Sequence, residues 1–338
     1  MRFRLYILLL LTTGLLLYSC VSSSDKKVAE ENQDESVGAI ADLSQMIAED
    51  SLNAALFEER ARAYLEEKEH NLAMRDMLRA IELDPENHQY MLTLGDIYLS
   101  MGLLENCVEA IEKSLEIKPA NKEAMLKLSE LNIMMKKYEE AIKYADMALE
   151  QDKSDPLPHF MKGYTFAQAG DTLNAIKSYL ETINLQQNHY DAYLELGLIY
   201  STRNNPIAID YFNNALNINP QSIEALYGLG MFYQGIDDAE NAENAYNRIL
   251  AIDPENKFAF YNLGYINLVI LGDYRQAIEY FEQVEQLDPD YFEATFNKGY
   301  CYELLGDYEL ARQCYSNVLD KQVNYQKAIE GLNRIQGK

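Results

Sequence analysis

Residues Lys257–Asp290 read KFAFYNLGYINLVILGDYRQAIEYFEQVEQLDPD, and their pattern decides the fold. Apolar residues recur at helical spacing on both sides of Gly272-Asp273, so the stretch reads as two amphipathic helices joined by a tight turn. Asp288-Pro289 closes the second helix, because proline lacks the N–H that would continue it. Gly264 on the first helix and Ala277 on the second are small, which lets two backbones approach closely, and Phe281 fills the space beside them.

Slid along the chain, this unit recurs at 54–87, 88–121, 122–155, 156–189, 190–222, 223–256, 257–291 and 292–325. The small residue of the first helix is Ala61, Gly95, Ser129, Gly163, Gly197, Gly230, Gly264 and Gly299 in turn. Its counterpart on the second helix is Ala73, Cys107, Ala141, Ala175, Ala208, Ala242, Ala277 and Ala311. Pro85, Pro119, Pro220, Pro254 and Pro289 close their units. In this spacing the chain resembles the tetratricopeptide repeat family over residues 54–325. The resemblance implies an all-α, right-handed α-α superhelix (a solenoid) of about eight tetratricopeptide repeats with a capping helix at each end. A solenoid is one quasi-linear body, so a length of 338 residues does not here mean two globular domains.

A net charge of −25 beside 48% apolar residues gives ample core material under an acidic exterior. That balance argues against nucleic acid, whose phosphates need a cationic footprint, and against resting on an anionic lipid surface. It favours neutral or basic protein and peptide partners. Four cysteines are too few for a disulfide scaffold. Cys107 reads as a small core residue, while Cys301 and Cys314, on the two helices of one unit, leave a disulfide open.

Residues 1–19 have a basic start at Arg2 and Arg4 and an apolar run from Leu5 to Leu17, the pattern of a secretory signal. Leu17-Tyr18-Ser19-Cys20 resembles the bacterial lipobox, which implies a lipoprotein signal peptide with lipidation at Cys20. Acyl chains on one cysteine would anchor the protein to a membrane outside the cytoplasm, in the cell envelope. Residues 20–35 hold almost nothing to bury and read as a flexible tether, at most about 50 Å when extended. Residues 36–53 carry Ala39, Leu43, Met46 and Ile47 as the stripe of an N-terminal capping helix. Residues 326–338 carry Ala328, Ile329, Leu332 and Ile335 as the C-terminal one, with Lys327, Glu330, Asn333 and Arg334 opposite.

Two units depart from the period. Gly197 and Ala208 are 11 apart, with Asn205 placed to cap a helix from Pro206. Gly264 and Ala277 are 13 apart, and the extra residue reads as an insertion at the turn near Gly272. His70, His88, His159 and His189 have no second ligand at metal spacing, and phosphate-loop, nucleophile-elbow and zinc-protease signatures are absent. Asp84-Pro85-Glu86-Asn87 and Asp253-Pro254-Glu255-Asn256 fall at inter-repeat turns, where Asp and Pro are turn formers. The chain is expected to be no enzyme and to carry no cofactor or metal.

The resemblance implies that positions 5 and 9 of each first helix form paired rungs on a concave groove. In the first three repeats these are Glu58/Arg62, Leu92/Asp96 and Leu126/Glu130, largely charged. In the last five they are Phe160/Tyr164, Leu194/Leu198, Tyr227/Met231, Tyr261/Tyr265 and Phe296/Tyr300, apolar or aromatic. Asn262 and Asn297 follow the first member of their rungs, where some family members bind a peptide backbone. The family's basic clamp for carboxylate termini is missing, since Arg62 stands between Glu58 and Glu66. The expected function is a non-enzymatic envelope scaffold that binds protein or peptide partners in this groove. The alternative is a glycan or small-ligand receptor that uses the same aromatic rings.

Overall fold

The computed structural model describes residues 38–338. The expected signal peptide, Cys20 and the tether lie outside the described residues. Those described are helical, and they fall into two compact units divided between Lys153 and Ser154.

In the first unit, helix α1 (38–49) precedes three antiparallel pairs. These are α2 (Ala54–Glu66) with α3 (His70–Leu83), α4 (His88–Ser100) with α5 (Leu104–Ile117), and α6 (Lys122–Met134) with α7 (Tyr138–Gln151). The second unit holds five pairs. They are α8 (Pro156–Ala169) with α9 (Thr172–Leu185), α10 (Tyr190–Ser201) with α11 (Ile207–Ile218), and α12 (Ile223–Gly235) with α13 (Ala239–Ile252). Then come α14 (Lys257–Ile266) with α15 (Tyr274–Leu287) and α16 (Phe292–Leu305) with α17 (Tyr308–Lys321), before a last helix α18 (Gln326–Arg334). The all-α solenoid class expected from the sequence is what each unit shows.

Local chemistry explains where the helices start. Asn121, Ser222 and Asn256 precede α6, α12 and α14, and each side chain accepts a hydrogen bond from a backbone N–H of the first turn. The Asp-Pro-Glu-Asn segments are therefore turn-and-cap sequences. Asn87 accepts from the Gln89 N–H, and Asp253 accepts from the Glu255 N–H.

Packing explains the small residues. A Cβ on Gly264 would stand 2.7 Å from the Phe281 ring, closer than carbons approach. Phe281, Tyr179, Phe212, Tyr246 and Tyr315 are fully buried and fill this slot in the five pairs of the second unit. Two of these rings are also met from the following helix. A Cβ on Gly228 would stand 2.6 Å from Phe212, and one on Gly331 2.5 Å from Tyr315. Gly228 of α12 and Gly331 of α18 thus lie over the slot ring of the pair before them.

The end helices do what caps must. Ile47 is buried and Leu43 packs beside it on the first pair, although Met46, expected on the same stripe, is 49% exposed. Arg60 ties α1 in place, donating to Ser44 Oγ at 3.0 Å and to Asp76 at 2.5 and 3.1 Å. At the other end Ala328 and Ile335 are buried, but Arg334 is not simply a solvent-side residue. Its guanidinium grips Glu303 with two bonds, 2.8 and 3.0 Å.

One expectation needs correction. The extra residue of the 257–291 unit is not a loop insertion. It is absorbed as a π turn, Asn267–Leu271, that continues α14. Asn267 is buried there, its amide donating to Leu263 O at 3.0 Å and Glu243 Oε1 at 2.9 Å. A wide turn keeps Leu268 in the core, where a loop would expose it. In the shortened unit the helix begins at Ile207, one residue after the expected Pro206, and Asn205 Oδ1 accepts from the Ile207 N–H at 3.1 Å.

Candidate functional site

The apolar and aromatic rungs all belong to the second unit, and the charged ones to the first. In the second unit each aromatic at position 5 rests on the slot ring of its own pair. Ring centroids are 5.7 Å apart for Phe160–Tyr179, 5.9 Å for Tyr227–Tyr246, 5.8 Å for Tyr261–Phe281 and 5.6 Å for Phe296–Tyr315. Three of them also meet a ring at the start of the next pair. Phe160 packs on His189 at 4.7 Å, Tyr261 on Tyr291 at 5.2 Å and Phe296 on Tyr325 at 5.4 Å. The wall is thus held rigidly from behind.

It is not covered. Phe160, Tyr164, Leu194, Leu198, Tyr227, Met231, Tyr261, Tyr265, Phe296, Asn297 and Tyr300 are all half-buried. Asn262 differs, being buried, 6% exposed. Its amide donates to the Tyr227 hydroxyl at 3.2 Å and to Phe258 O at 2.8 Å. Asn297 repeats the contact one pair on, donating to the Tyr261 hydroxyl at 3.1 Å. These amides therefore hold tyrosines of the preceding rung, and Asn262 does not face the groove as a donor for a peptide backbone. Burial pushes the Tyr261 hydroxyl up to about 12, against the lowering effect of Asn297, so it stays a neutral phenol.

The same position 6 carries a contact to the previous rung in the first unit. Thr93 Oγ1 donates to Glu58 Oε1 at 3.1 Å and accepts from Arg62 at 3.0 Å. Lys127 Nζ donates to Asp96 Oδ1 at 2.6 Å. Arg62 also pairs with Glu58. Glu58 and Arg62 thus neutralise each other, and Lys127 neutralises Asp96. The sequence holds the signal for this ladder, a polar residue directly after position 5 of the next unit. It becomes readable only once the register of neighbouring helices is known.

Chemistry-bearing groups elsewhere are structural. Among the described residues no cluster of His, Cys, Asp and Glu has the makings of a metal site, and no helix is long and apolar enough to cross a membrane. His189 caps α10, its Nδ1 accepting from the Ala192 N–H at 3.3 Å, and burial holds its pKa below the usual value. Cys107, Cys301 and Cys314 are free, buried thiols, so the Cys301–Cys314 disulfide left open by the sequence is not formed. Burial pushes Cys301 up to about 12 and Cys314 up to about 11, which makes them inert.

Models of the tetratricopeptide repeat match residues 54–87, 88–121, 123–154, 223–256 and 266–322, together more than half of the chain. Anaphase-promoting complex subunit 3 of Schizosaccharomyces pombe is 24% identical over 165 residues, 48% of this chain and 25% of that protein. The Hsp70-Hsp90 organizing protein of Triticum aestivum is 24% identical over 298 residues, 83% of this chain and 43% of that protein. The chain therefore spans less than half the length of these relatives. A crystal structure of the C-terminal part of a TPR repeat-containing protein from Cytophaga hutchinsonii matches with a TM-score of 0.58. It covers 69% of this chain and 96% of that one at 18% identity, a likeness of fold.

Proposed function

Because the chain belongs to the tetratricopeptide repeat family, we propose that it is a non-catalytic scaffold holding protein partners at a membrane of the cell envelope. The anchor in this reading is lipid on Cys20, joined to the folded part through the polar segment 20–35. Anchoring raises the effective concentration of whatever the groove recruits.

One observation carries the reading. From Phe160 to Tyr300 the second unit keeps a row of half-buried apolar and aromatic side chains that its own packing does not cover. Contiguous apolar surface of this kind marks an interaction site more often than a folding requirement. Rings braced by other rings lose little freedom when a segment docks, so an extended or helical partner binds at low entropic cost. The acidic exterior, net −25, favours neutral or basic partners.

The test is crosslinking in the cells that make the protein, followed by identification of what co-purifies. The triple variant Tyr261→Ala/Tyr265→Ala/Tyr300→Ala is expected to lose the main partner while keeping its helicity. An unchanged partner set moves binding off this wall and overturns the reading.

A further inference from the structure

The aromatic wall of the second unit has two unlike borders. Positions 2, 5, 9 and 13 of a first helix are spaced i, i+3, i+7 and i+11, so they share one helix face. Positions 5 and 9 are the rungs. Position 13 holds Gln168, Thr202, Gly235, Val269 and Leu304, all exposed and all without charge. Position 2 holds Asp191, Glu224 and Glu293 in three of the five pairs, the first two exposed and the third half-buried. No lysine or arginine pairs with these three carboxylates among the described residues, and Glu224 accepts from the Ser222 hydroxyl at 3.2 Å. Cations of the same unit are taken up by other carboxylates, Lys257 by Asp288, Lys298 by Glu285 and Lys321 by Asp290. The wall is therefore apolar along its middle, acidic along one border and neutral along the other.

The wall's own hydrogen bonds limit what can lie on it. An extended chain presents backbone N–H and C=O groups at every residue and needs partners for those that become covered. The amides placed to supply them, Asn262 and Asn297, donate instead to the Tyr227 and Tyr261 hydroxyls. An α-helix satisfies its own backbone and brings only side chains to the contact. Spacing agrees with a helix. The two asparagines reach side chains of the preceding first helix, so neighbouring first helices touch, and touching helices stand about 8–10 Å apart. Two turns of a partner helix, seven residues, advance about 10.5 Å. One apolar stripe thus meets rung after rung, whereas same-face residues of a strand fall about 6–7 Å apart and drift out of step.

We propose that the segment seated on this wall is a basic amphipathic α-helix. Its apolar stripe lies on the rungs between Phe160 and Tyr300, and its lysines or arginines line the flank that faces Asp191, Glu224 and Glu293. The proposal rests on the reading of this wall as the partner's seat and adds what that partner is. Cations on the one flank give the three carboxylates the charge partners they lack in the free protein. The aliphatic stems of those cations extend the apolar contact across the border. The opposite flank, against Gln168, Thr202 and Gly235, needs no charge. In a protein of net charge −25 a basic helix is drawn in before these contacts form.

The probes are leucine–lysine peptides about 14 residues long, enough to reach three rungs as a helix. Two have identical composition, one with its leucines at helical spacing and one with leucine and lysine alternating. A proline–lysine peptide of equal charge and a leucine–glutamate peptide at helical spacing complete the set. Binding to the purified full-length protein is measured by calorimetry, and carbon-13 shifts of labelled peptide report its bound conformation. The helically spaced leucine–lysine peptide is expected to bind at least tenfold tighter than the other three and to be helical when bound. Asp191→Asn/Glu224→Gln/Glu293→Gln should weaken it about tenfold and flatten its salt dependence. The same number of exposed carboxylates removed from the second helices, in Glu181→Gln/Glu240→Gln/Glu279→Gln, should leave affinity within about twofold. Equal binding of the alternating or proline peptide, or full affinity in the border variant, overturns the proposal. If the tyrosine triple variant still loses its partner in that case, the groove reading stands and only the basic helix falls.

Discussion

Replacing Gly264 by alanine sets two known effects against each other. Alanine is better than glycine inside a helix by about 1 kcal/mol, so propensity alone predicts a more stable protein. The structure predicts the opposite. The new Cβ would stand 2.7, 2.9 and 3.0 Å from three atoms of the Phe281 ring, where carbons settle at about 3.5–4.0 Å. Phe281 is fully buried and packed against Tyr261 as well, so the ring has little room to retreat. Overpacking of this kind costs about 1–3 kcal/mol, and three close ring atoms place it in the upper half of that range. The net expectation is a loss of about 1–2 kcal/mol. Gly235→Ala is the internal control, since nothing lies within 4 Å of a Cβ there. It should hold or raise the urea midpoint, while Gly264→Ala lowers it. Repeat proteins open locally, so hydrogen exchange in α14 and α15 should locate the loss in that pair. In the Gly264→Ala background, Phe281→Leu should cost at least about 1 kcal/mol less than in the parent protein, because it removes the clash. Equal or greater stability for Gly264→Ala would refute the account of how these helices meet.

Two further outcomes follow from polar contacts. Burial works against ionisation of Glu303, yet hydrogen bonds from Arg334 and Tyr315 outweigh it and hold the carboxyl below its usual range. Docking of α18 should therefore keep this contribution above pH 4.5, the ordinary value, and lose it as pH falls through the depressed one. Arg334 is 45% exposed, so the effect is below about 1 kcal/mol, and Arg334→Ala should flatten the pH dependence of proteolysis at the C-terminal end. Asn262→Leu removes the donor to the Tyr227 hydroxyl and should cost about 1–2 kcal/mol in urea unfolding. Loss of partner capture with unchanged stability would instead mean that Asn262 touches the partner.

The repeat was legible because its signal is steric and periodic. A glycine such as Gly264 and the Phe281 that would collide with any larger residue both recur at fixed spacing, so sequence register and packing register coincide. The π turn was not legible. An added residue looks the same in sequence whether it enlarges a loop or widens a helical turn. Only the burial of Asn267, bonded to Glu243, distinguishes the two. The asparagine pair at 262 and 297 stood out, but its role depends on which neighbour the side chain meets, Tyr227 and Tyr261, one unit back.

The contrast between the two units bears on where a partner binds. To use the first unit's rungs, a ligand must displace Arg62 from Glu58 and Thr93, or Lys127 from Asp96, trading one set of charge contacts for another with little net gain. In the second unit no such exchange is needed. The rings of Tyr261, Phe296 and Phe160 are already ordered by Tyr291, Tyr325 and His189, and docking removes water from apolar surface without breaking a bond. Affinity should therefore come from α8 onward, with the charged rungs of the first unit acting on encounter rate and its salt dependence rather than on residence time. Exchanging Glu58 and Asp96 for neutral residues should then slow association and leave dissociation unchanged, whereas losing the tyrosines should do the reverse.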